Sequence, residues 1–213
     1  MTDIVTYALL CFTSFFALVN PLSIMPVFLT MTQSIGDRER ARIARKSTIV
    51  AFIIMVSFTV FGQFLFKFFG LSTNGFRIAG GFIIFKIGFD MLQAKFTRVK
   101  AADEEIKDYA DDISITPLAI PILCGPGAIA NGIVLMENAK STLEKIVLVG
   151  VIGLVFLVSY ITLRASTRLI KIMGETGNNV MMRLMGLILI VIAIECFVSG
   201  LKPILTDIIK SAI

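Results

Sequence analysis

The sequence contains no histidine. Without an imidazole, no Ser-His or Cys-His pair can activate a nucleophile, and the usual zinc and iron ligand sets lose a member. Cysteine is scarce too. Cys11, Cys124 and Cys196 stand far apart in apolar stretches with no Cys-x-x-Cys spacing, the pattern of small buried hydrophobes and not of a metal or redox centre. No Walker sequence occurs, so no phosphate-binding loop of that kind is expected. Charged residues make up only 16% of the chain. These absences read as a protein that is not an enzyme and that needs no cofactor or metal.

What the chain has in quantity is hydrocarbon. It is 56% hydrophobic with a mean hydropathy of +0.89, well outside the range of soluble domains. We therefore expect an all-α integral membrane protein whose other constant partner is the lipid bilayer. Its 213 residues hold about six spans of roughly 20 residues and leave no room for a soluble domain. Apolar runs place the spans near residues 4–32, 47–69, 74–94, 114–136, 144–165 and 179–201. Gly174, Glu175 and a Gly-Asn-Asn turn are expected to join the last two. The first run follows no basic leader and precedes no small-residue cleavage site, so it is expected to be a retained span and not a signal peptide.

The net charge of +5 comes from basic residues gathered in alternate loops. That is the pattern of topology determinants and not of a nucleic-acid-binding stripe. Five lie between Arg38 and Lys46, four between Lys95 and Lys107, and three are Arg164, Arg168 and Lys171, twelve on one side. The other side carries Lys67, Lys140, Lys145, Lys202 and Lys210. Because basic short loops resist translocation, both termini of this multi-pass chain should lie outside.

A helix-breaking motif occurs twice in apolar surroundings. Asn20-Pro21 sits in FALVNPLSIMP and Gly125-Pro126-Gly127 in PLAIPILCGPGAIA, with the two prolines 105 residues apart. Arg77 and Gly80 recur 106 residues later as Arg183 and Gly186. We read one domain over 1–213, with repeat one at about 4–94, repeat two at about 114–201 and a linker at about 95–113. Three spans per repeat is an odd number, so the second copy inserts upside down. The expected fold is six transmembrane helices as two inverted-topology three-helix repeats, with helices 1 and 4 discontinuous.

Proline removes an amide donor and frees carbonyls that hydrocarbon cannot solvate, so broken backbone at membrane depth must line a cavity or be buried in protein. The amides after Asn20, with Ser23 nearby, form a half-helix N-terminus suited to a carboxylate. Asn20 can donate and accept at once. Gly125 and Gly127 bracket Pro126 and let a ligand approach the backbone, although glycine also serves tight helix crossing. Pro117 and Pro121 predict a distorted entry to this span. The substrate-binding candidates are thus Asn20, Pro21, Ser23, Gly125, Pro126 and Gly127.

Four charged residues inside apolar runs are candidates for gating or coupling: Arg77, Arg183, Asp90 and Glu195. The arginines are expected near opposite faces, either snorkelling to headgroups or closing alternate ends of a pathway. Lys86 and Asp90 share a helix face at i, i+4 and are expected to neutralise each other. Glu195 is either a proton site in apolar surroundings or simply wetted at the end of its span. The phenylalanine-rich second span reads as lipid-facing bulk, and small residues such as Gly80, Gly81, Gly150 and Gly153 as helix packing.

The segments NPLSIMPVF and PLAIPILCGPGAI resemble the signature segments of the MarC family of bacterial and archaeal inner-membrane proteins, and length, spans and charge pattern agree over essentially the whole chain. Ser23 stands where relatives commonly carry glycine. The family is similar to the LysE-type exporter superfamily. The resemblance implies location in a prokaryotic plasma membrane and transport of small neutral, zwitterionic amino acids such as glycine and alanine, driven by protons. It implies a substrate held between the breaks at Asn20-Pro21 and Gly125-Pro126-Gly127. The alternatives are an exporter or channel for another small metabolite and, as a minor one, a thiol-disulfide carrier using Cys11 and Cys124.

Overall fold

A computed structural model describes residues 2–32, 35–93 and 112–212. Its ordered elements are helical throughout: α1 (Thr2–Val19), α2 (Pro21–Met31), α3 (Asp37–Phe68), α4 (Thr73–Leu92), α5 (Ser114–Leu123), α6 (Pro126–Asn138) and α7 (Thr142–Ala212). The linker expected at 95–113 lies almost wholly outside the described residues.

The ends of these helices follow from local chemistry. At the end of α3, Gly70 takes φ +64 and the N–H groups of Gly70 and Leu71 return to the carbonyls of Lys67 and Phe66. That closure needs a left-handed residue, and glycine meets the need without a Cβ penalty. Ser72 then caps α4 by accepting from the Gly75 N–H at 2.9 Å. At the start of α7 the Ser141 hydroxyl accepts from Glu144 N–H while the Glu144 carboxylate accepts from Lys140 N–H, a reciprocal cap of the Ser-x-x-Glu kind. In α5, Thr116 (φ −124, ψ 119) and Ile120 (φ −127, ψ 125) leave helical geometry. Each precedes a proline, whose ring disfavours the α region for the residue before it. Both Xaa-Pro bonds there are cis.

Among the described residues, four helical stretches are long and apolar enough to cross a bilayer: Ile4–Met31, Asp37–Phe68, Thr142–Ser166 and Gly186–Ser211. The pair α5–α6 is apolar enough as well but is bent by 57° at its break, the geometry of a broken span or a re-entrant loop. The third expected span, 74–94, coincides with α4, which has the length but carries Arg77, Lys86 and Asp90 in 20 residues. One expectation changes outright. The turn expected at Gly-Asn-Asn between the last two spans is absent, and the backbone of α7 is helical through it. Glycine and asparagine cost a helix only about 1 kcal/mol or less each, which neighbouring turns can carry.

The outer surface is apolar. Phe61, Phe64, Phe68 and Phe69 of the phenylalanine-rich run are all more than 60% exposed, as a lipid-facing surface requires. Inside, α4 lies antiparallel along the second half of α7, α3 packs on its first half and on α5 and α6, and α2 also packs on α7. Glycine makes the α4–α7 crossing close. A Cβ at Gly88 would sit 2.7 Å from the Gly186 carbonyl, one at Gly186 2.6 Å from the Gly88 carbonyl, and one at Gly200 2.7 Å from the Asn74 carbonyl. Apolar side chains gain nothing by leaving lipid for each other, so such crossings depend on close packing.

Arg40, counted above among the topology charges, is only 3% exposed. Its guanidinium donates to the carbonyls of Thr32 (2.9 and 3.2 Å) and Ile35 (2.6 Å) and pairs with Asp37 at 3.1 Å. It thus satisfies carbonyls just beyond the end of α2 that hydrocarbon could not. Arg40→Ala should destabilise the protein by about 2 kcal/mol, and Arg40→Lys should not restore it because lysine lacks the planar fork. Thermal unfolding in detergent checks both.

Candidate functional site

Both helix breaks open on one cavity of about 530 Å³. At the first break Asn20 adopts φ +45, a left-handed conformation that asparagine tolerates better than other residues with a Cβ. Its N–H donates to Phe16 at 2.9 Å and ends α1, while its carbonyl accepts from Ile24 N–H at 3.3 Å and begins α2. Pro21 follows at the first helical position, where a missing N–H costs nothing.

The second break repeats this arrangement with glycine. Gly125 is extended (φ −74, ψ 157), Pro126 opens α6, and the Gly125 carbonyl accepts from Ile129 N–H at 3.0 Å. These two opening bonds, Ile24 to Asn20 and Ile129 to Gly125, are 105 residues apart. First-turn N–H groups have no acceptor within their own helix, so each helix start carries partial positive charge. The first break continues as one span, whereas the second bends by 57°.

Of the residues singled out in the sequence, Asn20, Gly125, Pro126, Gly127, Arg77 and Glu195 line this cavity together. Pro21 is buried beside it. Arg183 is exposed on α7 and Asp90 half-buried on α4, and neither borders the cavity. The side chain of Ser23 lies outside the described residues. Arg77 and Glu195 share the cavity wall without an ion pair within 4.0 Å. One cation and one anion thus stand in the same space, each open to a ligand. The expected Lys86–Asp90 pair does not form. Lys86 is exposed on the outer face of α4, where its ammonium can reach toward headgroups.

Asn131 escaped the sequence reading. It lines the cavity, and its Nδ2 is buried with no acceptor among the described residues. The available signal was its spacing: four residues after Gly127, it lies one turn along the same helix face. A buried amide donor without a partner costs free energy unless something else accepts from it. Gly127 leaves the approach open, since a Cβ there would meet only Leu18 at 3.7 Å.

Cys196 also lines the cavity, whereas Cys11 and Cys124 are 0% and 1% exposed. Thiol exchange requires an accessible thiolate, which disfavours the thiol-disulfide reading. Among the described residues no cluster could hold a metal ion.

The backbone role of Asn20 can be separated from its side chain. Asn20→Gly keeps the left-handed turn and should be the better tolerated of two substitutions there. Asn20→Val puts a branched Cβ there and should cost about 1–2 kcal/mol. Unfolding midpoints of the two variants test this.

Apolar helices long enough to span a bilayer, with broken backbone gathered around an internal cavity, define a polytopic integral membrane protein. Residues 5–205 match the MarC family of integral membrane proteins, and the chain belongs to that family. It is 41% identical over 207 residues to the UPF0056 membrane protein YvbG of Bacillus subtilis, covering 92% of this chain and 96% of the relative. It is 35% identical over 197 residues to a UPF0056 membrane protein of Methanocaldococcus jannaschii, again covering 92% and 96%. A UPF0056 membrane protein of Aquifex aeolicus is 32% identical over 196 residues, covering 91% and 92%. The family thus occurs in bacteria and archaea. No solved structure matches the chain.

Proposed function

We propose that the protein is a secondary transporter of small neutral amino acids of glycine or alanine size, coupled to protons and working by alternating access in a prokaryotic inner membrane. The observation that carries the reading is the convergence of two proline-started half-helices on one cavity that also presents Arg77 and Glu195, unpaired among the described residues. A zwitterion needs both signs of charge within a small space. Its carboxylate would take the helix starts at Pro21 and Pro126, Arg77 and the Asn131 amide. Its ammonium would take Glu195 and the Asn20 side chain. A wall of Gly125 and Gly127 suits a small side chain.

Alternating access rests on the inverted repeat. The opening bonds of α2 and α6, 105 residues apart, support reading the two halves as copies, with α4 as the third span of the first. In that reading Arg77 faces the cavity in this state and Arg183 would take its place at the opposite end in the other state, both termini lying outside. Glu195 is the candidate proton site.

The test is uptake of labelled glycine and alanine into proteoliposomes under an imposed pH gradient. Saturable uptake that Gly125→Leu and Asn20→Ala abolish, in protein that remains folded, would support the reading. Absence of uptake and of exchange would refute the substrate class. Within this reading Asn131→Ala should raise KM about tenfold or more, since hydrogen bonds to charged groups are worth ~1.5–3 kcal/mol. It should leave thermal stability unchanged or higher, because an orphaned donor is removed.

A further inference from the structure

A second cavity, of about 350 Å³, opens on the outer surface between α3 and the first half of α7. Arg45, Thr48, Phe52, Gly153, Phe156 and Tyr160 form its wall. The helices run antiparallel along it. Phe52 packs on Phe156 with ring centroids 6.2 Å apart and lies 3.6 Å from where a Cβ at Gly153 would be, while Arg45 and Tyr160 border the other end. Arg45 is two turns from Phe52 and Tyr160 two turns from Gly153, about 10 Å along each axis. The slot exists because Gly153 has no side chain to fill it.

We propose that this slot binds one anionic phospholipid, with an acyl chain over Gly153 and the phosphate at Arg45 and Tyr160. Its two ends differ in chemistry as the two ends of a lipid do. The inner end is aromatic and glycine. At the outer end neither the Arg45 guanidinium nor the Tyr160 hydroxyl has a hydrogen bond or ion pair among the described residues. The Thr48 hydroxyl is committed to the Ala44 carbonyl, which leaves these two to meet a headgroup. Arg164, exposed one turn beyond Tyr160, adds a further positive charge to the rim, and no acidic residue lines the slot. This charge complementarity selects an anionic headgroup over a zwitterionic one. A tyrosine and arginines at the rim of an apolar groove also fit the headgroup level of a bilayer.

The experiment titrates purified protein in mild detergent with phosphatidylglycerol and, separately, phosphatidylcholine of the same chains. Bound lipids are counted by native mass spectrometry, and melting temperature and oligomeric state are followed. One phosphatidylglycerol should bind at least fivefold more tightly than phosphatidylcholine and raise the melting temperature. Arg45→Ala should weaken that binding about fivefold, the scale of one basic residue at an anionic membrane, and Arg45→Lys should largely retain it. Gly153→Leu should abolish the adduct by filling the slot while leaving the lipid-free melting temperature close to wild type. Equal binding of both lipids, or an adduct that survives Arg45→Ala and Gly153→Leu, would overturn the proposal. So would a dimer that Gly153→Leu dissociates, because a second copy would then be the occupant.

Discussion

Gly88→Leu is expected to be the most damaging single substitution in the chain, lowering stability by on the order of 3 kcal/mol or more. The added Cβ would lie 2.7 Å from the Gly186 carbonyl oxygen and 3.0 Å from the backbone nitrogen and Cγ1 of Ile190. Those contacts are mostly backbone, so no rotamer change relieves them. The helices must separate. The separation reaches the reciprocal contact as well, where Gly186 sits against the Gly88 carbonyl and the Leu92 amide. In a bilayer the loss is not offset by a larger hydrophobic contact elsewhere, because close packing is what holds such crossings. Gly88→Ala should show the same effect at ~1–3 kcal/mol. Gly150→Ala is the control, since nothing lies within 4 Å of its Cβ position, and it should be neutral. Unfolding midpoints in detergent rank the three.

Gly80→Ala should strike the site instead of the scaffold. Its Cβ would fall 2.1, 2.6 and 3.1 Å from three ring atoms of Pro126. A proline ring at the first position of a helix cannot rotate away, since its φ is fixed by the ring itself. Either α4 or the start of α6 has to move, and both line the cavity through Arg77 and Pro126. Under the proposed transport function, uptake should fall about a hundredfold, since displacing a binding group by about 1 Å can cost that much. Pro126→Gly in the same chain removes the obstructing ring, so the stability effects of the two changes should be non-additive. A Gly80→Ala protein with wild-type uptake would mean that the α4–α6 contact is incidental to function.

Much of this site can be read directly from residues. Proline and glycine in an apolar run have few outlets, and Asn20-Pro21 and Gly125-Pro126 stand where α1 gives way to α2 and α5 to α6. Arg77 and Glu195 were conspicuous as charges in hydrocarbon, but their convergence depends on how α4 lies along α7, which no local pattern encodes. Asn131 was invisible for a related reason. Asparagine in a helix is unremarkable until packing removes its acceptors. In sequence Arg40 looks like one loop charge among several, because its capping partners, Thr32 and Ile35, become acceptors only when the chain turns back after α2. The Gly-Asn-Asn stretch shows the opposite failure. Its residues favour turns by small margins, and the helical backbone of α7 outweighs them.

A small zwitterion bound in the cavity between the two breaks, as proposed, should shield Cys196, which makes that thiol a direct reporter. It lines that cavity, while Cys11 and Cys124 are sealed in the core, so a small maleimide should modify Cys196 alone among the three. The measurement is the rate of that modification in purified protein with and without glycine, with alanine and with a large neutral amino acid such as leucine. Saturating protection by glycine and alanine but not leucine, lost in Asn131→Ala, is the predicted result. A labelling rate that no small amino acid changes, at concentrations up to the solubility limit, would contradict it.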